Sequence, residues 1–190
     1  MAFFPVSLNL RGRRCVVIGA RGDREAIDKA AALRESGADV HWIDNPAALR
    51  DEDVTDAYFV ISTPQDEALA ARLRALADRH KFLLCCIDQP KYGFVAMAAI
   101  AKAGPVRIAI ATSGLAPRVG KILKERLQAA MDERFTRFVE RLGGMKLVMQ
   151  REKSGAEHAA ERRAAMIEAA DGFDAEIHFT YPSWFDGSRS

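Results

Sequence analysis

The chain has 190 residues, enough for one sizeable domain or for a domain with a small appendage. Apolar residues make up 49% and charged residues 28%, and no segment approaches the run of about 18 apolar residues that a membrane span needs. The net charge of +2 is too small to indicate nucleic-acid binding, so we expect neither a nucleic-acid nor a membrane partner.

The elements predicted for the first half alternate between strand and helix. In chain order they are a strand at 14–20, a helix within 21–38, strands at 39–44 and 57–63, a helix at 64–80 opened by Pro64, and a strand at 81–88. Such alternation, with helices of about 15 residues, is typical of a parallel sheet covered on both faces. We therefore expect an α/β fold of the Rossmann-like type.

The pattern changes after residue 88. Residues 93–112 predict two strands around a turn at 102–105, which we expect to be antiparallel because no helix separates them. A helix with Pro117 in its first turn follows, then a second helix that we expect to break at Gly143-Gly144, and a third at about 156–170. Residues 175–181 are open between irregular structure and an edge strand. We place the domain boundary near Ser113.

Three cysteines bear on chemistry and location. Cys85 and Cys86 are adjacent in a strand-like run, so their side chains should point to opposite faces of the sheet and not form a disulfide with each other. No Cys/His spacing fits a metal site, and the four histidines are scattered, so we predict no metal ligands. The first residues lack the pattern of a secretory signal. We expect buried, reduced thiols, Cys15 among them, in a cytoplasmic protein.

The stretch "VIGARGDREA" indicates a nucleotide site. A glycine turn between a strand and a helix lets backbone N–H groups approach a pyrophosphate at the helix N-terminus. Here Gly19 is present, Arg21 replaces the second glycine of the usual fingerprint and Gly22 comes one position late. The alternative is an ordinary strand–helix turn. The candidate cofactor-binding residues are Gly19, Arg21, Gly22, Asp23, Asp44, Asn45 and Thr63.

Two of these residues have specific expected roles. Asp44 ends the second strand about 25 residues after Gly19, where an acid accepts hydrogen bonds from a ribose and disfavours a 2′-phosphate. Arg21 would lie either against the pyrophosphate or in solvent.

The stretch "LLCCIDQPKYGF" delivers a single acid, Asp88, to the end of an apolar strand. Open α/β sheets bind ligands beyond the carboxyl ends of their strands, and an acid in apolar surroundings there can exchange protons. The alternative is a side-chain cap of the Gln89-Pro90 turn. The residues alone do not decide between a catalytic acid and a turn cap.

The stretch "ATSGLAPRVGK" is a second candidate anion site. A predicted strand ends in Thr112-Ser113-Gly114, and a helix N-terminus with Arg118 and Lys121 follows, an arrangement suited to carboxylates. The alternative is a simple helix N-cap by Ser113. These five residues are the candidate substrate-binding set.

Taken in this order, "PVSLNLRGRRCVVIGA", "DKAAALRESGADV", "FVISTPQDEALAARL", "CCIDQPKYGFVAMAAI" and "VRIAIATSGLAPRVGKILKERLQ" resemble the siroheme synthase family, and more narrowly its precorrin-2 dehydrogenase/sirohydrochlorin ferrochelatase module. The resemblance implies a homodimer that oxidises precorrin-2, a carboxylate-rich tetrapyrrole, to sirohydrochlorin with NAD. Some members also insert ferrous iron. The family's acid/base aspartate falls on Asp88, and a hydroxyl residue of its substrate loop falls on Thr112.

The resemblance also implies the domain order: an NAD-binding Rossmann-like domain at 1–112, a dimerisation segment at 113–150 and a small helical C-terminal region at 151–190. The expected function is NAD-dependent oxidation of precorrin-2. The sequence leaves open whether iron insertion accompanies it. It also leaves open a non-catalytic dimer that binds a dinucleotide or tetrapyrrole, and a chelatase alone.

Overall fold

The computed structural model describes residues 4–186 and divides them into two compact units. The described residues of the first unit run up to Ala99 and again from Ala109 to Leu123. The second unit contains Ile100–Ile108 and the described chain from Lys124 onward. This division does not show which segment dimerises, so the three-part division of the chain stays a prediction.

The first unit contains a sheet of four parallel strands in the order β2-β1-β3-β4. Their bounds are Arg14–Ile18 for β1, Asp39–Ile43 for β2, Phe59–Ser62 for β3 and Leu83–Cys86 for β4. The register pairs Ile18 with both Ile43 and Ser62, and Ser62 with Cys86. The four strands therefore end level with one another, and the residues that follow each of them meet at one edge of the sheet. The predicted parallel, Rossmann-like sheet is confirmed.

Two helices cover the two faces of this sheet. Helix α1 (Arg24–Glu35) buries Ala26, Ala30 and Leu33 on the face that contains Cys85. Helix α2 (Glu67–His80) buries Leu73 and Ala77 on the face that contains Cys86. The adjacent cysteines point to opposite faces, as predicted, and all three thiols are free and buried. Each large aliphatic side chain so buried contributes roughly 1.5–3 kcal/mol relative to an exposed one.

The start of α2 differs from the prediction. The helix begins at Glu67 and not at Pro64, because Asp66 acts as its N-cap. The Asp66 carboxylate accepts hydrogen bonds from Ala68 N at 2.9 Å and Leu69 N at 3.0 Å, which satisfies two otherwise unpaired amides of the first turn. Between β2 and β3 the chain forms two short 3-10 helices, Pro46–Ala48 and Asp51–Asp53, instead of a further strand.

The second unit is built on a hairpin and helices. Strands β5 (Ala99–Ala103) and β6 (Val106–Ile110) form a two-stranded sheet around a turn at residues 104–105, and a two-residue link requires the antiparallel pairing that we predicted. The small core of this unit contains Ala101, Ala103 and Met131. The helices are α3 (Pro117–Ala130), which begins in the first unit, α4 (Glu133–Glu152), α5 (Ala159–Ala169) and α6 (Ser183–Asp186).

In the C-terminal half, the break expected at Gly143-Gly144 is wrong, and the alternative left open for residues 175–181 is decided against a strand. Helix α4 continues through Gly143-Gly144, since two glycines cost only about 2 kcal/mol in a helix whose neighbours favour helical structure. Residues 173–182 form no strand. Instead, the Phe173 ring stacks on Phe138 with 5.3 Å between ring centroids, which fixes the start of this segment on α4.

No helix in residues 4–186 has both the length and the apolarity required to cross a membrane.

Candidate functional site

Gly19 is the tightest point of the turn between β1 and α1. A Cβ atom at this position would lie 2.3 Å from Thr63 Oγ1 and 2.8 Å from Ala26 Cβ, closer than such atoms approach. The absence of a side chain lets the end of β1, the first turn of α1 and the end of β3 converge. Gly22, by contrast, has no atom within 4 Å of an added Cβ and no positive φ, so the turn does not require glycine there.

Asp23 and Thr63 meet beside Gly19. The Asp23 carboxylate caps α1 by accepting a hydrogen bond from Glu25 N at 2.9 Å, and it also contacts the Thr63 hydroxyl. Thr63 Oγ1 lies 3.3 Å from Ile18 O as well, but its single proton goes to the closer, charged acceptor. Three predicted cofactor-binding residues therefore lie together, with a carboxylate at the end of the helix where a pyrophosphate would be expected.

Arg21 contacts Asp44, a position that neither of our two expectations for it included. The Arg21 Nε pairs with Asp44 Oδ2 across the sheet edge. This hydrogen bond, together with the charge of the guanidinium, holds the pKa of the Asp44 carboxyl below its usual value. The arginine side chain is 87% exposed and the aspartate 38%, so solvent screens the pair and opening it costs little.

Trp42 is a site residue that our sequence reasoning missed. Its indole Nε1 donates a hydrogen bond to Gly19 O at 2.8 Å, while Gly19 N donates to Ile43 O at 3.0 Å. Both polar backbone groups of Gly19 are thus satisfied, and the turn is fixed to β2. The alternation of side chains along β2 was the available signal, since it places Trp42 on the face covered by α1.

Asn45, the remaining predicted cofactor residue, has a local role in the structure. It is the N-cap of the first 3-10 helix, where its Oδ1 accepts a hydrogen bond from Ala47 N at 3.2 Å.

Asp88 follows β4 at the same sheet edge. It has a left-handed backbone conformation with a φ of 57°, in a turn closed by Gln89 N donating to Cys86 O at 3.2 Å. Its side chain is exposed and makes no hydrogen bond or ion pair with any residue in the described part of the chain. The structure shows neither of the two alternatives left open by the sequence, an acid in apolar surroundings or a side-chain cap of the Gln89-Pro90 turn. The carboxylate is available to a bound molecule.

The loop that holds Asp88 is anchored on both sides. Before it, Ile87 N donates to Ser62 O at 2.9 Å, and Gln65 Nε2 donates to Ile87 O at 3.1 Å. After it, Phe94 N and Val95 N both donate to Leu84 O, at 2.8 and 3.0 Å. The Asp88 carboxylate is therefore free while its backbone is well positioned.

The loop before α3 is a turn and not a helix cap. Ser113 and Gly114 have φ values of 53° and 78°, and Leu115 N donates to Thr112 O at 2.9 Å, as in a turn with two left-handed residues. Because α3 begins at Pro117, Ser113 does not cap it. Arg118 and Lys121 are exposed on the first turns of α3.

No hydrogen bond or ion pair joins Asp88 to this loop or to α3 within residues 4–186, so the structure does not bring the predicted catalytic and substrate-binding residues into direct contact. Their roles stay predictions.

The thiols are not suited to nucleophilic chemistry. Burial raises the pKa of Cys85 to about 11 and the pKa of Cys86 to about 11, so both remain protonated near neutral pH. In the described part of the chain, no group of three or more His, Cys, Asp or Glu side chains is placed to hold a metal ion.

Comparisons with known proteins agree with this geometry. Residues 6–99 match the model of a family described as putative NAD(P)-binding. The chain is 26% identical over 155 residues to the siroheme synthase of Nitrosococcus oceani, covering 72% of this chain and 33% of that protein. It is 31% identical over 152 residues to the siroheme synthase of Gluconacetobacter diazotrophicus, covering 68% and 32%. The chain thus spans about a third of the length of the curated relatives it matches.

A solved structure, "SirC, precorrin-2 dehydrogenase", superposes with a TM-score of 0.68 and 18% sequence identity over 90% of each chain, which shows a shared fold. This fold, the glycine turn at the edge of a parallel sheet and the matches in sequence lead to one conclusion: the chain is similar to one module of the siroheme synthases, about a third of their length.

Proposed function

We propose that the protein is an NAD-dependent dehydrogenase that oxidises precorrin-2 to sirohydrochlorin in siroheme biosynthesis. The family supports the reaction, and one structural observation carries the assignment of the site. Within residues 4–186, the Asp88 carboxylate has no hydrogen-bond or ion-pair partner, and it lies at the same sheet edge as the Gly19 turn. An acid or base there is within the region where open α/β sheets bind their ligands.

The residues of the first unit fit NAD. The close approach at Gly19 and the N-terminus of α1 suit the pyrophosphate, and Asp44 suits the hydroxyls of the adenosine ribose. One feature opposes binding: the Asp23 carboxylate already accepts a hydrogen bond from a first-turn amide of α1. A bound pyrophosphate must therefore coexist with this charge or displace it.

The chemistry divides between the cofactor and the chain. The dehydrogenation removes one hydride and one proton from the tetrapyrrole, and NAD supplies the hydride acceptor. Asp88 accepts the proton, because its carboxylate is free and its backbone is anchored at both sides of the turn. The substrate carboxylates are held by Thr112, Ser113 and Gly114 together with the cations Arg118 and Lys121.

Iron insertion is a second proposed activity, with ferrous iron as a substrate. The step requires the removal of pyrrole N–H protons, for which Asp88 is again the suitable base.

The proposed assembly is a homodimer in the cytoplasm. Large apolar side chains are exposed on α3 and α4, including Val119 at 51%, Ile122 at 41% and Leu147 at 58%, and a second copy would cover them. The free, buried thiols are consistent with a reducing compartment. Light scattering at micromolar concentration tests the dimer, and a monomeric mass would contradict it.

The test of the function is an assay with precorrin-2 and NAD, followed by the sirohydrochlorin spectrum and by NADH. We expect Asp88→Asn to lose at least a hundredfold in kcat while its affinity for NAD is unchanged, as for the loss of a general base contributing about 10²–10⁴-fold. Asp28→Asn, which removes an exposed acid from α1, is the matched control and should retain activity. Wild-type turnover by Asp88→Asn would exclude the assigned role.

A second candidate is a non-catalytic dimer that binds a dinucleotide or a tetrapyrrole. The occupied cap at Asp23 and the pair between Arg21 and Asp44 favour its tetrapyrrole-binding form, since both fill positions that a dinucleotide would use. The same assay separates the candidates: a binding protein forms neither sirohydrochlorin nor NADH.

A further inference from the structure

We propose that Arg21 and Asp44 together allow the nucleotide site to accept NADP as well as NAD, with Arg21 as the partner of the 2′-phosphate. The inference rests on the proposed function, because it concerns the same site. It goes further by naming the residue that sets the choice between the two nucleotides.

The first step is the position of Arg21. Asp23 N donates to Ala20 O at 2.9 Å, so Arg21 and Gly22 are the central residues of a tight turn. The start of this turn is fixed to β2, because Gly19 N donates to Ile43 O and the Trp42 indole donates to Gly19 O. Asp44 follows Ile43 directly. The backbone therefore holds Arg21 beside the acid at the end of β2.

The second step is charge. An acid at the end of β2 normally rejects NADP, because it repels the 2′-phosphate. Here Arg21 pairs with that acid and offsets its charge. The acid still has lone pairs free for ribose hydroxyls, since a carboxylate accepts up to about four hydrogen bonds. The binding of NAD is thus retained, while the electrostatic repulsion of the 2′-phosphate of NADP is reduced.

The third step is the freedom of the guanidinium. The Arg21 side chain is 87% exposed, and apart from Asp44 it has no ion-pair partner in residues 4–186. Only its Nε contacts Asp44, so its other N–H groups can reach a phosphate at the same ribose position while the pair with Asp44 remains. A planar guanidinium binds a phosphate through two parallel hydrogen bonds, a geometry that the ammonium of a lysine does not reproduce.

The test measures nucleotide binding directly and does not depend on enzymatic activity. The chain has two tryptophans, Trp42 and Trp184. In a Trp184→Phe background the only indole is the one that contacts Gly19, so energy transfer from Trp42 to a reduced nicotinamide reports binding at this turn. Dissociation constants for NADH and NADPH are measured in this background and in Arg21→Ala, Arg21→Lys and Asp44→Asn made within it.

We expect comparable dissociation constants for the two nucleotides in the background protein. Arg21→Ala should raise the constant for NADPH by about tenfold to a hundredfold, as for a lost charge-assisted hydrogen bond, with a much smaller change for NADH. Asp44→Asn should shift the preference towards NADPH, and Arg21→Lys should lie between the background protein and Arg21→Ala. The matched control is Arg24→Ala, which removes a cation paired within α1 and should leave the ratio unchanged.

The outcomes separate this inference from the proposed function. If Arg21→Ala weakens both nucleotides equally, or if the background protein already rejects NADPH as strongly as Arg21→Ala does, the inference is overturned and NAD binding stands. If neither nucleotide binds, both the inference and the proposed NAD-dependent reaction are refuted.

Discussion

Gly19→Ala tests the close approach on which the nucleotide site depends. The added Cβ would lie 2.3 Å from Thr63 Oγ1 and 2.8 Å from Ala26 Cβ. Thr63 can relieve the first overlap only by rotating its hydroxyl away from Asp23, which loses a charge-assisted hydrogen bond of about 1.5–3 kcal/mol. Ala26 has no rotamer to change, so α1 must shift, at a cost of about 1–3 kcal/mol. We expect the free energy of unfolding to fall by about 2.5–6 kcal/mol.

The measurement is a urea titration followed by the fluorescence of Trp42 in the Trp184→Phe background, because the indole donates to Gly19 O and reports on the turn itself. The matched control is Gly22→Ala in the same turn. No atom lies within 4 Å of its added Cβ and its φ is not positive, so alanine should be neutral or stabilise by about 0.4–1 kcal/mol through the unfolded chain.

A double-mutant cycle with Thr63 distinguishes steric overlap from other effects of replacing Gly19. If the overlap with Thr63 Oγ1 causes part of the destabilisation, Thr63→Ala should relieve that part, and the double variant should be less destabilised than the sum of the single variants by about 1 kcal/mol or more. Strict additivity, or a Gly19→Ala variant within 0.5 kcal/mol of the parent protein, would refute the reasoning.

Three further predictions concern charge, burial and helix propensity. Asp23→Asn keeps an N-cap side chain but removes the negative charge at α1, so NADH should bind about threefold to tenfold more tightly in the fluorescence titration, and unchanged affinity would contradict this. Burial raises the pKa of Cys85 and of Cys86 from 9.0 to about 11, so the buried thiols stabilise the fold fully below pH 9 and lose that contribution as the pH rises to 11. The free energy of unfolding should therefore fall more steeply over this range than in the Cys85→Ala, Cys86→Ala variant, by on the order of 1 kcal/mol per pH unit, and parallel curves would refute it. Gly143→Ala and Gly144→Ala, whose added Cβ atoms meet nothing within 4 Å, should each stabilise α4 by about 0.5–1 kcal/mol in urea titrations, and destabilisation by either would show that the helix is interrupted there.

The sequence was sufficient for the sheet because its strands are buried on both faces. Residues 15–18, 59–61 and 83–86 are continuous apolar runs between helices of amphipathic pattern, and a parallel sheet covered on both faces accommodates that alternation. Gly19, Asp44, Thr63 and Asp88 each lie at or just after the carboxyl end of a predicted parallel strand. Their shared edge was therefore predictable from the sequence, and the register confirms it.

The side-chain pairing at that edge was not predictable in the same way. Whether Arg21 points to solvent, to a pyrophosphate or to Asp44 depends on the turn at residues 20–23, and a turn with a non-standard glycine pattern has no fixed geometry in sequence. The break expected at Gly143-Gly144 was wrong because two glycines lower the stability of a 20-residue helix without ending it. Local propensity is a weak constraint where a long helix continues on both sides.

The exposure of Asp88 changes what its proposed role requires. A catalytic acid in apolar surroundings was one of two alternatives that the sequence left open, but the described residues leave its carboxylate in solvent, without a partner, on a backbone fixed by Ile87 and Leu84. In the proposed reaction, any enclosure of this carboxylate would come from the bound molecules or from a second copy of the chain. A proton acceptor that is enclosed only in such a complex is active only there, which fits a loop with an anchored backbone and a free side chain. In the proposed site, the backbone places Arg21, Asp44 and Asp88 at this edge, and the molecules that bind would complete it.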